Sequence, residues 1–208
     1  MAKAVVYDIM GTLYDLPGGN FPFMRMIKEI VTNDFWNSLA NWEKNKIKHK
    51  LLTTHYESLE ELADYLNPCH EADLGEYRDI FNRQIENASA YPEMVYNLIK
   101  NRKDSYIGLM SNISSPFLGI LQKKMHHWNY SLEEVVDTYC LSCNEGCAKP
   151  SSAIFGLMEK KLGIKNTPHI TLVDNEINIC KSASNRGWKA LHVSGGRIKS
   201  IYLGYEGN

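Results

Sequence analysis

Short apolar runs that read as buried strands recur along this chain with helical patterns between them, and that alternation constrains the fold more than any other feature. Residues 4–8 read as a first strand, Tyr106 to Met110 as a second and Asp137 to Leu141 as a short third. Ile170 to Val173 reads as a fourth strand and Lys189 to Val193 as the last, with Ser194-Gly195-Gly196 after it as a loop. Met94 to Asn101, Phe117 to Met125, Ala153 to Leu162 and Ile177 to Asn185 carry helical spacing, with Gly163 and Gly187 as stops. Strands separated by helices of this length imply an α/β protein with a doubly wound parallel sheet, Rossmann-like, whose sites gather beyond the strand C-termini.

One stretch breaks the rhythm. Residues 21–88 are helical in pattern and rich in Trp, Phe, Leu and charge, without a convincing strand. Ile27, Ile30 and Val31 share one helical face, as do Leu59, Leu62, Ala63 and Leu66; Asn67-Pro68 stops that second helix. Tyr77 to Asn87 reads as a further helix with Ile80, Phe81 and Ile85 inward. An insertion after the first strand is the expected organisation: residues 1–15 and 89–208 form a core, and 16–88 an α-helical cap. Phe21, Phe23, Phe35, Trp36 and Trp42 are read chiefly as core of that cap.

Composition excludes several classes. Lys and Arg number 23 against 24 Asp and Glu, so bulk charge offers no general affinity for nucleic acid or membranes. No apolar run approaches the ~20 residues needed to span a bilayer. Met1-Ala2-Lys3 leads straight into a strand, too short for a secretory signal, and the odd count of 5 cysteines reads as reduced thiols. A cytoplasmic protein is expected, its oligomeric state left open.

Four polar groupings fall at or near strand ends: Asp8 with Thr12, Ser111-Asn112, Lys149-Pro150, and Asp174-Asn175-Glu176 with Asn178. They supply a nucleophilic carboxylate, a hydroxyl donor, a fixed cation and a second carboxylate. That set suits attack on phosphorus through an aspartyl-phosphate intermediate. Ser111, Lys149 and backbone N–H groups after Asp8 would neutralise phosphoryl oxygens as charge shifts. Asp8 and Asp174 would share Mg²⁺, a hard ion that takes one or two carboxylates and keeps several waters.

The motifs Asp8-Ile9-Met10-Gly11-Thr12-Leu13, Gly108-Leu109-Met110-Ser111-Asn112, Ala148-Lys149-Pro150 and Leu172-Val173-Asp174 stand in order along almost the whole chain. In this the sequence resembles the haloacid dehalogenase-like (HAD) hydrolase superfamily, in its subgroup with a helical cap after the first strand. The resemblance implies Asp8 as nucleophile, Ser111 and Lys149 binding the transferring group, and Thr12 assisting catalysis. Gly11 and Asn112 are expected at the substrate, a small and phosphorylated molecule. Asp8, the Met10 backbone carbonyl and Asp174 would hold the metal, with Glu176 a further carboxylate for its shell.

Met10 departs from the pattern. Family phosphatases carry Asp there as general acid and base, a role worth ~10²–10⁴ in rate. Methionine cannot transfer a proton, yet its carbonyl remains. A phosphatase restricted to leaving groups that need little protonation is therefore the favoured reading. A 2-haloacid dehalogenase is the alternative, since halide leaves without a proton. Asp174 argues against it, because a carboxylate facing Asp8 without a cation blunts the nucleophile, and Arg25 is an unpersuasive partner for the substrate carboxylate. Phosphonate cleavage would need a cap lysine from Glu43 to Lys50, a run read as a solvated helix face. A catalytically impaired binding protein is the fourth reading, prompted by Asn175 and Asn178 where the family favours other residues. Cys140, Cys143 and Cys147 are read as small hydrophobes rather than zinc ligands, His126-His127 as a helix end, and Asp15 as a linker residue.

Overall fold

The central apolar runs form strands that bury both of their faces. The computed structural model describes residues 3–15, 37–66, 79, 88–116, 118, 132–164 and 167–204. The strands are β1 (Ala4–Tyr7), β2 (Tyr106–Ser111), β3 (Thr138–Leu141), β4 (Ile170–Asp174), β5 (Lys189–Ser194) and β6 (Arg197–Tyr202). The helices are α1 (Asn41–Thr53), α2 (Leu59–Leu66), α3 (Pro92–Asn101), α4 (Leu132–Val135), α5 (Ser142–Glu145), α6 (Ser152–Leu162) and α7 (Ile177–Asn185). The strands build one six-stranded sheet in the order β3-β2-β1-β4-β5-β6. All neighbours are parallel except β5 and β6. The strand order reverses beside β1, which pairs with β2 on one side and β4 on the other. That reversal is the switch point at which such sheets open a crevice.

Alternation along the strands sorts side chains into two cores. Ala4, Val6, Met110, Ile170 and Leu172 pack with Ile154, Phe155 and Met158 of α6, Ile179 and Ala183 of α7, and Trp188. Tyr7, Ile107, Leu109 and Val173 pack with Leu13, Met94 and Leu98 on the opposite face. Fully burying one such aliphatic side chain contributes about 1.5–3 kcal/mol. At Gly108 a Cβ would stand 3.1 Å from Met158 Sδ and 3.3 Å from Val6 Cγ2, so glycine lets α6 approach the sheet.

The second face extends into the helices after β1. Leu51 of α1, Tyr56 in the connection after it, and Leu62 of α2 belong to the same cluster as Leu13, Tyr14 and Ile113. Ser115 Oγ accepts from Tyr56 N and donates to Tyr56 O, both at 2.8 Å. These contacts seat α1 and α2 against the segment that follows β2. The chain leaves the sheet at residue 15 and returns at 89 side by side: Asp15 N donates to Ser89 O at 2.6 Å, and Tyr91 Oη to Asp15 Oδ1 at 2.7 Å. Asp15 is thus engaged at the linkers rather than at the strand ends.

Two expectations are corrected. Lys189–Ser194 is not the last strand. Gly195 and Gly196 take φ of 57° and 71°, the left-handed pair of a tight hairpin turn, and carry the chain into antiparallel β6. Trp42 is 66% exposed rather than cap core. It precedes buried Leu51 by nine residues, two and a half turns at ~3.6 residues per turn, and so lies on the opposite side of α1. The lysines of α1 are exposed or half-buried, as read. Cys140 and Cys143 are buried, and burial raises both thiols, to about 12 and about 11. The expectations on Phe21, Phe23, Arg25, Ile27, Ile30, Val31, Phe35, Trp36, Asn67-Pro68, Tyr77 to Asn87 apart from Asp79, and His126-His127 lie outside the described residues, as does most of Phe117 to Met125.

Candidate active site

Asp8 follows β1 directly, and its N–H still pairs with Val173 O of β4 at 2.9 Å. The chain then turns tightly. Gly11 adopts φ 81°, a conformation open chiefly to glycine, and its N–H donates to Tyr14 O at 2.6 Å. Leu13 N and Tyr14 N both donate to Ile9 O, at 2.8 and 3.0 Å. This closed loop returns Thr12 to Asp8, where its Oγ1 donates to Oδ2 at 3.3 Å. From the neighbouring strand end, Ser111 Oγ donates to Asp8 Oδ1 at 2.9 Å.

Lys149 joins the two sides of the crevice. Its Nζ donates to Asp8 Oδ1 at 2.8 Å and to Asp174 Oδ2 at 2.6 Å. The three side chains are 2%, 7% and 0% exposed respectively. Lys149 stands on a loop, so something must fix that loop. Asn112 does so with both ends of its amide: Nδ2 donates to Lys149 O at 2.8 Å, and Oδ1 accepts from Lys149 N at 2.7 Å. Asn112, expected at the substrate, spends its amide on placing the lysine. Asp174 is the last residue of β4, and its Oδ1 accepts from Glu176 N at 2.8 Å.

The fourth grouping resolves residue by residue. The inner atom of the Asn175 amide lies 3.3 Å from Asp8 Oδ2 and 3.2 Å from the Met10 carbonyl oxygen; with NH₂ turned inward it donates to both. Sequence reasoning noted Asn175 only as an irregularity, though a neutral amide in an acidic motif was itself the signal. Glu176 and Asn178 are exposed. Among the described residues no three His, Cys, Asp or Glu side chains converge on one point, so Glu176 does not complete a set with Asp8 and Asp174. The oxygens that could hold a cation are those of Asp8, the Met10 carbonyl and Asp174. Two carboxylates and a carbonyl are hard oxygen ligands of the kind Mg²⁺ takes, with waters filling the rest. The residues fit the ion.

One ammonium faces two carboxylates, so the buried triad carries a net negative charge. Burial works against the Lys149 ammonium, but the charges of Asp174 and Asp8 outweigh it and hold Lys149 above the ordinary lysine range. Burial pushes the Asp174 carboxyl up from 3.8 to about 7, with Lys149 opposing and the Asp8 charge adding. The sign follows from linkage. A carboxyl raised in the folded state binds a proton that the unfolded chain has already lost, so stability falls as pH rises toward about 7. In EDTA, stability should drop by ~1–2 kcal/mol between pH 5.5 and 8, about 3–6 °C in Tm. Saturating Mg²⁺ should flatten that slope. Thermal unfolding by circular dichroism checks it, and a slope of opposite sign without metal would contradict the charge balance.

The doubly wound sheet, with Asp8 after its first strand, Ser111 and Asp174 at the ends of the second and fourth and Lys149 on a loop between them, is similar in fold to solved HAD-family structures. Sequence comparison matches the chain to no protein-family model and to no curated protein. Comparison of structures does. A HAD family enzyme of Bacteroides thetaiotaomicron, BT-2542, in complex with magnesium and inorganic phosphate, superposes with a TM-score of 0.73 at 18% identity, over 95% of this chain and 96% of that one. A predicted HAD-like family hydrolase from Porphyromonas gingivalis gives 0.69 at 21% identity, over 95% and 93%. The L-2-haloacid dehalogenase from Xanthobacter autotrophicus gives 0.58 at 17% identity, over 93% and 78%. At these identities the likeness establishes the fold.

Proposed function

We propose that this chain is a Mg²⁺-dependent hydrolase that moves a phosphoryl group from a small phosphorylated molecule to Asp8 and then to water. The observation that carries the reading is the single buried ammonium of Lys149 bridging Asp8 and Asp174, with the Met10 carbonyl beside Asp8. A second carboxylate so close to a nucleophile is costly unless a cation is shared between them. The magnesium- and phosphate-bound BT-2542 structure supports the same reading.

In the first step Asp8 attacks phosphorus, the bond to the leaving oxygen breaks, and an aspartyl phosphate forms. Lys149 and Ser111 hold the phosphoryl oxygens in place and take up their growing charge. Asp8, the Met10 carbonyl and Asp174 would hold Mg²⁺, which supplies further charge stabilisation there. Water then attacks phosphorus, releasing inorganic phosphate and restoring Asp8. Met10 offers no proton to the leaving oxygen, so acyl and aryl phosphates should turn over and alkyl phosphates hardly at all. Residues 16–88 serve as the cap that selects the substrate and excludes water. Among the described residues no helix is long and apolar enough to cross a membrane; a cytoplasmic location is the accompanying proposal.

A second reading, 2-haloacid hydrolysis, is favoured by one observation: Lys149 and the Asn175 amide can together satisfy both oxygens of Asp8. One paired assay separates the readings, with and without Mg²⁺. It measures phosphate release from acyl, aryl and alkyl phosphates and halide release from 2-haloacids. Magnesium-dependent phosphate release, fastest on the acyl and aryl phosphates, is the expected result. Metal-independent halide release would replace this reading by the second. No turnover together with tight phosphate binding would make the chain a binding protein.

A further inference from the structure

Three acceptor oxygens gathered this closely repel one another unless a proton or a cation lies between them. Around Asn175 that situation is built in. Asp8 Oδ2 and the Met10 carbonyl are acceptors only, and the inner atom of the Asn175 amide stands 3.3 and 3.2 Å from them. Thr12 Oγ1 is 3.5 Å from the same atom, but a hydroxyl both donates and accepts and so decides nothing. A carboxamide has two solutions here. With NH₂ inward it bridges Asp8 Oδ2 and the Met10 carbonyl by two hydrogen bonds. With oxygen inward it adds a third hard donor to those two, which a divalent cation would accept. The two arrangements exclude each other and differ by a half-turn of one side-chain bond.

We infer that Asn175 is a two-position latch on the nucleophile, its NH₂ tying Asp8 Oδ2 to the Met10 carbonyl until a divalent cation displaces it and turns its oxygen inward. The inference rests on the proposed metal role of Asp8 and Met10. It goes further in making cation affinity adjustable. The cation must break two hydrogen bonds before it gains its ligands, so binding is weaker than the donor set alone would give. The latch also keeps the Asp8 carboxylate aligned without a cation, Lys149 and Ser111 holding Oδ1 while Asn175 holds Oδ2. Asn175 is a positioning residue on this account, acting on Asp8 and not on the substrate.

Asn175→Asp tests it, because a carboxylate has only the cation-accepting form. Mg²⁺ titration calorimetry should show binding at least ~10-fold tighter than wild type, or about 1.4 kcal/mol. In EDTA at pH 8 the same variant should melt several degrees lower, since a third carboxylate faces Asp8 and Asp174 without a donor. Should that variant fail to fold, the wild type carries the test alone. In ¹⁵N-labelled protein the Asn175 side-chain NH₂ should be protected from exchange in EDTA and lose that protection as Mg²⁺ saturates. Mg²⁺ binding that leaves this NH₂ unchanged, with equal affinity in wild type and Asn175→Asp, overturns the latch and leaves the metal reading standing. No Mg²⁺ binding by either protein overturns both.

Discussion

Asp8→Asn should reduce turnover of every substrate that the wild type accepts to background, a loss of ~10³–10⁶-fold in kcat, while the protein folds normally. The amide keeps the shape of the carboxylate, so Ser111 Oγ and Lys149 Nζ retain an oxygen partner, but its oxygen carries too little charge to attack phosphorus. Folding should survive, because the new NH₂ replaces Oδ2, where Thr12 Oγ1 can accept and the Asn175 amide can turn its oxygen inward to accept as well. The triad of Asp8, Lys149 and Asp174 has one negative charge in excess, and neutralising Asp8 relieves it. Tm in EDTA at pH 8 should therefore hold or rise, which distinguishes lost chemistry from lost structure. Isotope placement then identifies the bond that water attacks. A single wild-type turnover in H₂¹⁸O should put the label into phosphate and leave Asp8 unlabelled, because water attacks phosphorus. A carboxylic ester formed from a haloacid would be opened at its acyl carbon, and label would enter the Asp8 side chain. Residual activity within tenfold of wild type in Asp8→Asn would remove Asp8 from the nucleophile's role.

What the sequence disclosed and what it hid divide along one physical line. Asp8, Ser111 and Asp174 were legible because each directly follows an apolar run, and a parallel sheet gathers such ends in one crevice. Lys149 was legible through its motif, but the reason it stays in place was not. The Asn112 clasp joins two loops 37 residues apart, and no local pattern encodes that pairing. β6 escaped notice for another reason. The signal was present in Gly195-Gly196 followed by Ile198 and Ile201, but a parallel α/β rhythm set the expectation of a loop. Trp42 shows the limit of composition: a large aromatic in a helical insertion reads as core until its phase against Leu51 is counted. Asn175 was visible as an exception, yet only distances to Asp8 and Met10 give the exception a role.

Met10→Asp should raise kcat/KM on alkyl phosphates by ~10²-fold or more while changing acyl and aryl phosphates little. The asymmetry is the substance of the prediction. An alkoxide leaves poorly without a proton, and the carboxyl two residues beyond Asp8 would supply it and later take a proton from water. An acyl or aryl leaving group departs without that help, so the added acid gains nothing there. The rate should accordingly lose much of its dependence on leaving-group pKa, a slope measurable across a series of phosphate esters. Stability bears on the outcome. The Met10 side chain is 8% exposed and packs in the cluster with Leu13 and Tyr14, so aspartate surrenders apolar burial and adds a carboxylate near Asp8 and Asp174. The variant should be less stable than wild type in EDTA and regain part of that loss with Mg²⁺, the ion offsetting the charge. A flat alkyl-phosphate rate in a folded variant that binds Mg²⁺ normally would mean that proton transfer is not what limits this site.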